Sequence, residues 1–272
     1  MKLIIGNGYL GEKFKNYIGD SVVSSVFINS EQDVVKEIDH YRPNWVINCA
    51  GITGRPNIDW CEDHREETFV GNILLPLQIA KACQSRRVRM LHLGSGCVYQ
   101  GDNCGRGFSE DDAPNFGGSF YSLTKALSEQ LLRDFNVLQL RLRMPIDSDL
   151  NSPRNFVKKI THYEKVIDIQ NSMTIVEDLL LVAEDLMKKE RSGIYNVVNP
   201  GPLSHHQILD LYQQIVDPDF KYQIITIEEL GKITRAGRSN CVLNGEKLAK
   251  EIELPVLKER LIKLFTDFVK NK

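Results

Sequence analysis

The sequence predicts an α/β fold, a doubly wound parallel sheet with a smaller mixed C-terminal lobe, on three observations. Short unbroken apolar runs alternate with helical patterns, a glycine-rich turn follows the first run, and the alternation stops after Pro145 and resumes near residue 172. A strand covered by helices on both faces reads as an unbroken apolar run, whereas a strand with one wet face alternates. Such strands, separated by helices, build a parallel sheet.

In chain order, "KLIIG" (2–6) is the first strand and "GEKFKNYI" (11–18) the first helix. "SVVSSVFINS" (21–30) holds the second strand and "NWVINCAG" (44–51) the third. A long helical run from about Glu62 to Ser85 leads to the strand "VRMLHLG" (88–94), and "SFYSLTKALSEQLLRDF" (119–135) leads to "VLQLRLRMP" (137–145). "DSDLNSPRNF" (147–156) is polar and turn-rich, and the helix "NFVKKITHYE" and the run "VIDIQ" follow it. The helix "TIVEDLLLVAEDLMKK" and the strand "GIYNVVN" restore the earlier rhythm. The expected division is a sheet domain of residues 1–146 plus 172–200 and a second lobe of 147–171 plus 201–272, with a cleft between them.

At 272 residues, 42% hydrophobic content and net charge -2, the chain has no electrostatic bias toward nucleic acid or an anionic membrane, and neither is expected as a partner. No stretch reaches the roughly 20 apolar residues a membrane helix needs, so a soluble, cytoplasmic protein is expected. The six cysteines (Cys49, Cys61, Cys83, Cys97, Cys104, Cys241) lack CxxC pairing, which argues against a zinc site and against a disulfide framework. No metal is expected. His205 and His206, after a proline-containing turn, are expected to cap a helix or face solvent.

"IIGNGYLG" places Gly6, Gly8 and Gly11 between the first strand and the first helix, where bare backbone N–H groups can approach a pyrophosphate. This makes the sheet a Rossmann-type one and the sheet domain a dinucleotide-binding one. No acid stands at the end of the second strand to hold the ribose hydroxyls of NAD. No arginine stands there for the phosphate of NADP either, and Ser24, Ser25 and Asn29 remain. NADPH is favoured over NADH.

"FYSLTKALSEQLL" sets Tyr121 and Lys125 one helical turn apart on one face. A lysine ammonium there would lower the phenol from its usual value of about 10 and hold a nicotinamide ribose. Tyr9 and Lys13 have the same spacing, but Tyr9 lies in the glycine loop, where it can only touch cofactor or pack. In "HLGSGCVY", Ser95 ends a strand where open α/β sheets bind ligands, so its hydroxyl can share a carbonyl oxygen with Tyr121. Cys97, two residues on, reads by itself as a small buried hydrophobe more readily than as a base.

Together, Gly6/Gly8/Gly11, Asn48-Cys-Ala-Gly51, Ser95, Tyr121 and Lys125 resemble the short-chain dehydrogenase/reductase superfamily. "ITGRPNIDWCE", "APNFGGSFYSLTKA", "RMPIDSDLNSPRNF", "NSMTIVEDLL" and "NPGPLSHHQIL" resemble, more narrowly, the UDP-4-keto-6-deoxyglucose 3,5-epimerase/4-reductase family, over nearly the whole chain. The chain is similar, at greater distance, to dTDP-4-dehydrorhamnose reductase and, around "GSGCVY", to GDP-fucose synthase. The resemblance implies NADPH-dependent production of UDP-L-rhamnose, with Ser95, Tyr121 and Lys125 reducing the ketone and Cys97 and Lys159 epimerising. It also implies a cofactor wall of Gly6, Gly8, Tyr9, Leu10, Gly11, Asn48, Ala50, Gly51 and Asn72 beside Tyr121 and Lys125. The chain departs from that family in its shorter glycine loop and in Phe27, which falls where relatives carry an arginine.

Arg55, Asn57, Asn155 and Arg238 are candidates for the sugar nucleotide, arginine being suited to diphosphate. Lys158 is the rival of Lys159, and neighbouring helix positions point about 100° apart, so one of the two faces the cleft. A homodimer is expected through the helices at 62–85 and 120–135. Two other functions are compatible with the fold: 4-keto-sugar reduction without epimerisation, and a non-catalytic dinucleotide-binding regulatory subunit.

Overall fold

The computed structural model describes residues 1–271. Six strands form one sheet: β1 (Lys2–Ile5), β2 (Ser21–Val23), β3 (Trp45–Asn48), β4 (Arg89–Ser95), β5 (Val137–Leu142) and, after a short β6 (Lys165–Ile167) outside it, β7 (Gly193–Asn196). Their order is β2-β1-β3-β4-β5-β7, every pair parallel. The order reverses between β1 and β3, and a crevice opens there beyond the carboxyl ends of the strands.

The apolar runs are covered on both faces. Ile4, Ile47, Leu91 and Leu140 pack toward the helix Val176–Lys188. The alternate residues Leu3, Val46 and Met90 pack toward the helices Glu31–Tyr41 and Leu75–Arg86. The period of two along a strand therefore feeds two cores at once. A further core joins Ile146, Val157, Ile160, Val166 and Ile175 to the helices His205–Ile215 and Leu257–Lys270. β6 pairs there with β8 (Gln223–Ile225).

Two elements differ from the sequence reading. The run from 62 to 85 is broken: helices Trp60–Asp63 and Arg65–Phe69 precede a π-turn at Val70–Leu74, and the regular helix starts only at Leu75. Asn72 in the π-turn bonds both backbone groups of Ile52, at 2.8 and 2.9 Å, which anchors the loop after β3. The helix expected over 155–164 spans only Phe156–Ile160, capped by the Asn155 side chain. Among the described residues, no helix is long and apolar enough to cross a membrane.

One buried ion pair anchors β5. Arg141 and Glu129 are both buried and joined in two parallel hydrogen bonds, one of 2.7 Å to Oε1. Arg141 also bonds Asn196 of β7 at 3.2 Å and the carbonyl of Ser109 at 3.1 Å. Removing one partner strands the other charge, so Glu129→Ala is expected to lower unfolding free energy by about 3–5 kcal/mol. Urea denaturation checks this, with the midpoint falling at unchanged slope; an unmoved midpoint would refute it.

Candidate active site

A cleft of about 960 Å³ runs from the glycine loop to the helix Phe156–Ile160. The three glycines divide the work of the loop. A side chain on Gly6, whose φ is +102°, would meet the Ala50 nitrogen at 2.6 Å, and one on Gly11 would meet the Gly6 oxygen at 1.9 Å. Those two allow the loop to close on itself and on β3. Gly8 faces open space, lines the cleft and caps the helix Tyr9–Tyr17 without any side chain, so the first N–H groups are left for an anion. The residues present thus fit a dinucleotide pyrophosphate.

Tyr9, Leu10, Ala50, Gly51 and Asn72 continue the cleft wall. Asn48 does not reach it: its buried amide bonds His92 at 3.0 Å and accepts from the Ala50 N–H at 3.0 Å, shaping the loop from behind. Ser24 accepts from Val26 at 3.2 Å and Asn29 bonds around the cap of the next helix. Phe27 is 82% exposed, and none of these three residues lines the cleft.

Ser119 caps the helix Phe120–Leu131, which presents Tyr121 and Lys125 to the cleft. Ser95, at the end of β4, faces the Tyr121 phenol. The expected lowering of that phenol by Lys125 is absent. Burial, then the neighbouring Cys97, pushes Tyr121 up, and the Ser95 hydroxyl only partly offsets this. The phenol is a proton-bearing acid. Lys125 donates to the Leu93 carbonyl at 3.0 Å, and burial lowers it to about 8. Cys97 lies beside this group on the same wall, its backbone N–H bonded to the Ser95 hydroxyl at 3.1 Å.

Lys159 faces the cleft from the second lobe, whereas Lys158 lines a separate pocket of about 240 Å³ beside Leu150 and Tyr212. Burial, then Arg154, lowers Lys159 below the usual lysine range. Of the remaining candidates, Asn57 and Arg238 line the cleft, but the guanidinium of Arg238 is bidentate to Asp59, at 2.7 and 2.9 Å. Arg55 is exposed and off the wall. Asn155 is fully buried, its amide donating to Asp147 and to the Asp149 carbonyl, so it is an anchor.

Sequence reasoning missed Arg154, His205 and Arg143. Arg154 lines the cleft and reaches Thr53 at 3.3 Å. His205 does not cap its helix, a task Ser204 performs; its ring lies on the cleft wall beside Phe156, and burial lowers it to about 4. His206 bonds the Tyr222 hydroxyl at 2.7 Å. Arg143, buried behind the wall, donates to the Cys97 sulfur at 3.3 Å. Two arginines two residues apart at the end of a mostly apolar run were the available signal, since buried arginine demands partners.

A six-stranded parallel sheet of Rossmann type, with Ser95, Tyr121 and Lys125 gathered on one wall of the cleft beyond β4, is the framework of an NADP-dependent oxidoreductase. The chain belongs to the RmlD-like reductase family: the model of the RmlD substrate binding domain matches residues 16–269. It is 46% identical, over 87% of this chain and 81% of the relative, to an Arabidopsis thaliana bifunctional dTDP-4-dehydrorhamnose 3,5-epimerase/dTDP-4-dehydrorhamnose reductase. Its fold superposes on the L780 UDP-rhamnose synthase of Acanthamoeba polyphaga mimivirus with a TM-score of 0.93 at 32% identity, covering 98% of this chain and 99% of that one. The fold is also that of dTDP-4-dehydrorhamnose reductase from Bacillus anthracis, solved with NADP, with a TM-score of 0.82 at 20% identity and coverage of 100% and 99%.

The lysine sets a pH limit. Its depressed value means that the ammonium is present below about pH 8 and is lost above it. If the ammonium supports catalysis, kcat/KM for keto-sugar reduction, which reports the free enzyme, falls as pH rises through about 8. A pH–rate series checks this; a kcat/KM that stays flat to pH 10 would show that Lys125 acts without its charge.

Proposed function

We propose that the protein converts UDP-4-keto-6-deoxyglucose to UDP-L-rhamnose, by 3,5-epimerisation and then NADPH-dependent reduction of the 4-ketone. The observation that carries this reading is that Ser95, Cys97, Tyr121 and Lys125 on one wall and Lys159 on the other line one cleft. The Arabidopsis relative, named for both reactions, supports it. A regulatory subunit would have no need of this full set.

Residues 1–146 plus 172–200 take the cofactor and 147–171 plus 201–272 the sugar nucleotide. The cofactor is NADPH, held by the Gly8–Leu10 backbone, by the wall at Ala50–Gly51 and Asn72, and by Lys125. When bound, it supplies hydride to C4 of the sugar. Arg154 and Asn57 face the sugar nucleotide, with Arg238 oriented by Asp59.

The protons at C3 and C5 are both alpha to the C4 ketone, so loss of either leaves an enolate with its charge on the carbonyl oxygen. Ser95 and Tyr121 donate to that oxygen, and one such donor contributes about 3–4 kcal/mol in comparable sites. Cys97 takes the proton on one face, and Lys159, which burial makes a readier acid, returns one on the other. Each centre inverts. In the reduction Tyr121 gives its proton to the same oxygen.

Two copies of the chain form the working unit in this reading. Leu123, Leu127 and Leu131 recur every fourth residue on one exposed face of their helix, and Phe69, Val70 and Leu74 are exposed on the helical segment packed beside it. Sedimentation velocity is expected to give the mass of two chains and Leu127→Asp the mass of one. A monomeric native protein refutes the dimer.

Epimerisation is tested by NMR of the keto sugar in deuterated water. Without NADPH, deuterium is expected at C3 and C5 with the native protein. With Cys97→Ala, exchange slows by about 10²–10⁴-fold, the usual contribution of a general base. Lys159→Met impairs inversion, and Lys158→Met does not. Exchange at the native rate in Cys97→Ala would leave the protein a 4-keto-sugar reductase only.

A further inference from the structure

Arg141 and Arg143 stand two residues apart, both buried, and among the described residues only Arg141 has an acidic partner. A guanidinium keeps its proton in a protein, and burying it without an anion is costly. Arg141 has Glu129. Arg143 bonds neutral groups, the Asn171 side-chain oxygen and the Ser239 hydroxyl and carbonyl at 2.9 and 3.2 Å, and its Nε–H has no partner. Its remaining donor contact is the Cys97 sulfur at 3.3 Å.

The surroundings leave Cys97 as the group that can supply the missing charge. Cys241 donates its own proton to the Gly96 carbonyl at 3.3 Å, and burial pushes its thiol up. Tyr121 is held protonated by burial. His205 feels the guanidinium but is kept neutral by burial, so it adds no second cation. Lys125, the other cation near Cys97, is bonded to the Leu93 carbonyl.

Cys97 and Ser239 line the cleft and Arg143 does not, so the guanidinium meets the cleft through the sulfur and the Ser239 hydroxyl. Gly96 makes the contact possible. A side chain there would strike Arg143 Cγ at 2.7 Å, Cδ at 2.9 Å and Leu243 at 2.6 Å.

We propose that Arg143 is the counter-ion that holds Cys97 as a thiolate, ready to act as the base. This rests on the assignment of Cys97 to epimerisation. In the step itself the sulfur takes the carbon-bound proton and becomes a thiol, while the electron pair of the C–H bond moves to the enolate oxygen. The negative charge passes from sulfur to that oxygen, and none is created. Release of the thiol proton to water in the cleft then restores the pair for the second centre.

Alkylation by iodoacetamide, followed by peptide mass spectrometry, tests the pairing in the native protein, with exposed Cys104 as internal reference. An ordinary thiol gains more than about tenfold in rate between pH 7 and pH 9 because the thiolate is the nucleophile. Cys104 is expected to show that gain and Cys97 less than about threefold. In Arg143→Met, Cys97 should react about tenfold more slowly at pH 7 and follow the rise of Cys104, whereas Arg143→Lys should keep most of the native reactivity. A native Cys97 that follows Cys104 overturns the proposal whether or not the variants fold, and so does a folded Arg143→Met with unchanged reactivity. Should the pairing hold while Cys97→Ala still exchanges deuterium at the native rate, the ion pair stands and the base assignment fails.

Discussion

The buried carboxylate of Asp147 sets the register between the two walls of the cleft. It accepts from the Tyr9 hydroxyl, from the Lys13 ammonium at 2.8 Å, from the Asp149 N–H at 2.8 Å and from the Asn155 amide at 3.1 Å. Tyr9 and Lys13 belong to the glycine loop and its helix, so one side of this knot is the cofactor end of the cleft. Asn155 caps the helix Phe156–Ile160, which carries Lys159 on the other side. Charged hydrogen bonds to a buried carboxylate are among the stronger ones available, and here they link two elements far apart in sequence. The second tyrosine–lysine pair, with the spacing of Tyr121 and Lys125, thus has a structural task.

The same economy governs the sheet. A parallel sheet buried on both faces has little tolerance for polar side chains, yet β4 and β5 carry His92, Gln139 and Arg141, with Arg143 just beyond. Each is paired. His92 is fixed by Asn48 and kept neutral by burial, Gln139 donates to the Glu129 carbonyl at 3.2 Å, and Arg141 has Glu129. Arg143, at the point where the strand enters the site, lacks an acidic partner and keeps a guanidinium Nε–H that meets no acceptor among the described residues. A local rule broken at a functional position is where sequence logic is expected to yield to chemistry.

The sheet was legible because burial on both faces leaves unbroken apolar runs, a signal contained in each strand by itself. Gly6, Gly8 and Gly11 were legible as a group, and only the structure separates Gly8, open to the cleft, from the two that pack. Side chains whose roles depend on distant partners were not legible. Asn155 and Arg154 are neighbours in a polar turn, and nothing local says that the asparagine is buried under Asp147 while the arginine reaches the cleft. The run from 62 to 85 reads as one helix because its hydrophobic period is nearly continuous. The π-turn that interrupts it answers to the loop at Ile52, twenty residues upstream. Lys158 and Lys159 show the opposite case, in which helix geometry alone required one of them to face away.

In the proposed function two reactions would share this cleft because both begin by polarising one carbonyl, and the residues lining it differ in how readily they hold a proton. Tyr121 is pushed up by burial, so it carries the proton that the proposed reduction would consume. Lys125 and Lys159 are both lowered by burial, but from opposite walls and with different neighbours: Lys125 is tied to the Leu93 carbonyl behind the tyrosine, and Lys159 stands beside Arg154. In the proposed scheme the first is the fixed positive neighbour and the second the proton donor. Such grading comes from unequal burial of similar groups. It needs a cleft closed on both sides, and so it depends on the carboxylate of Asp147 that keeps the two walls in register.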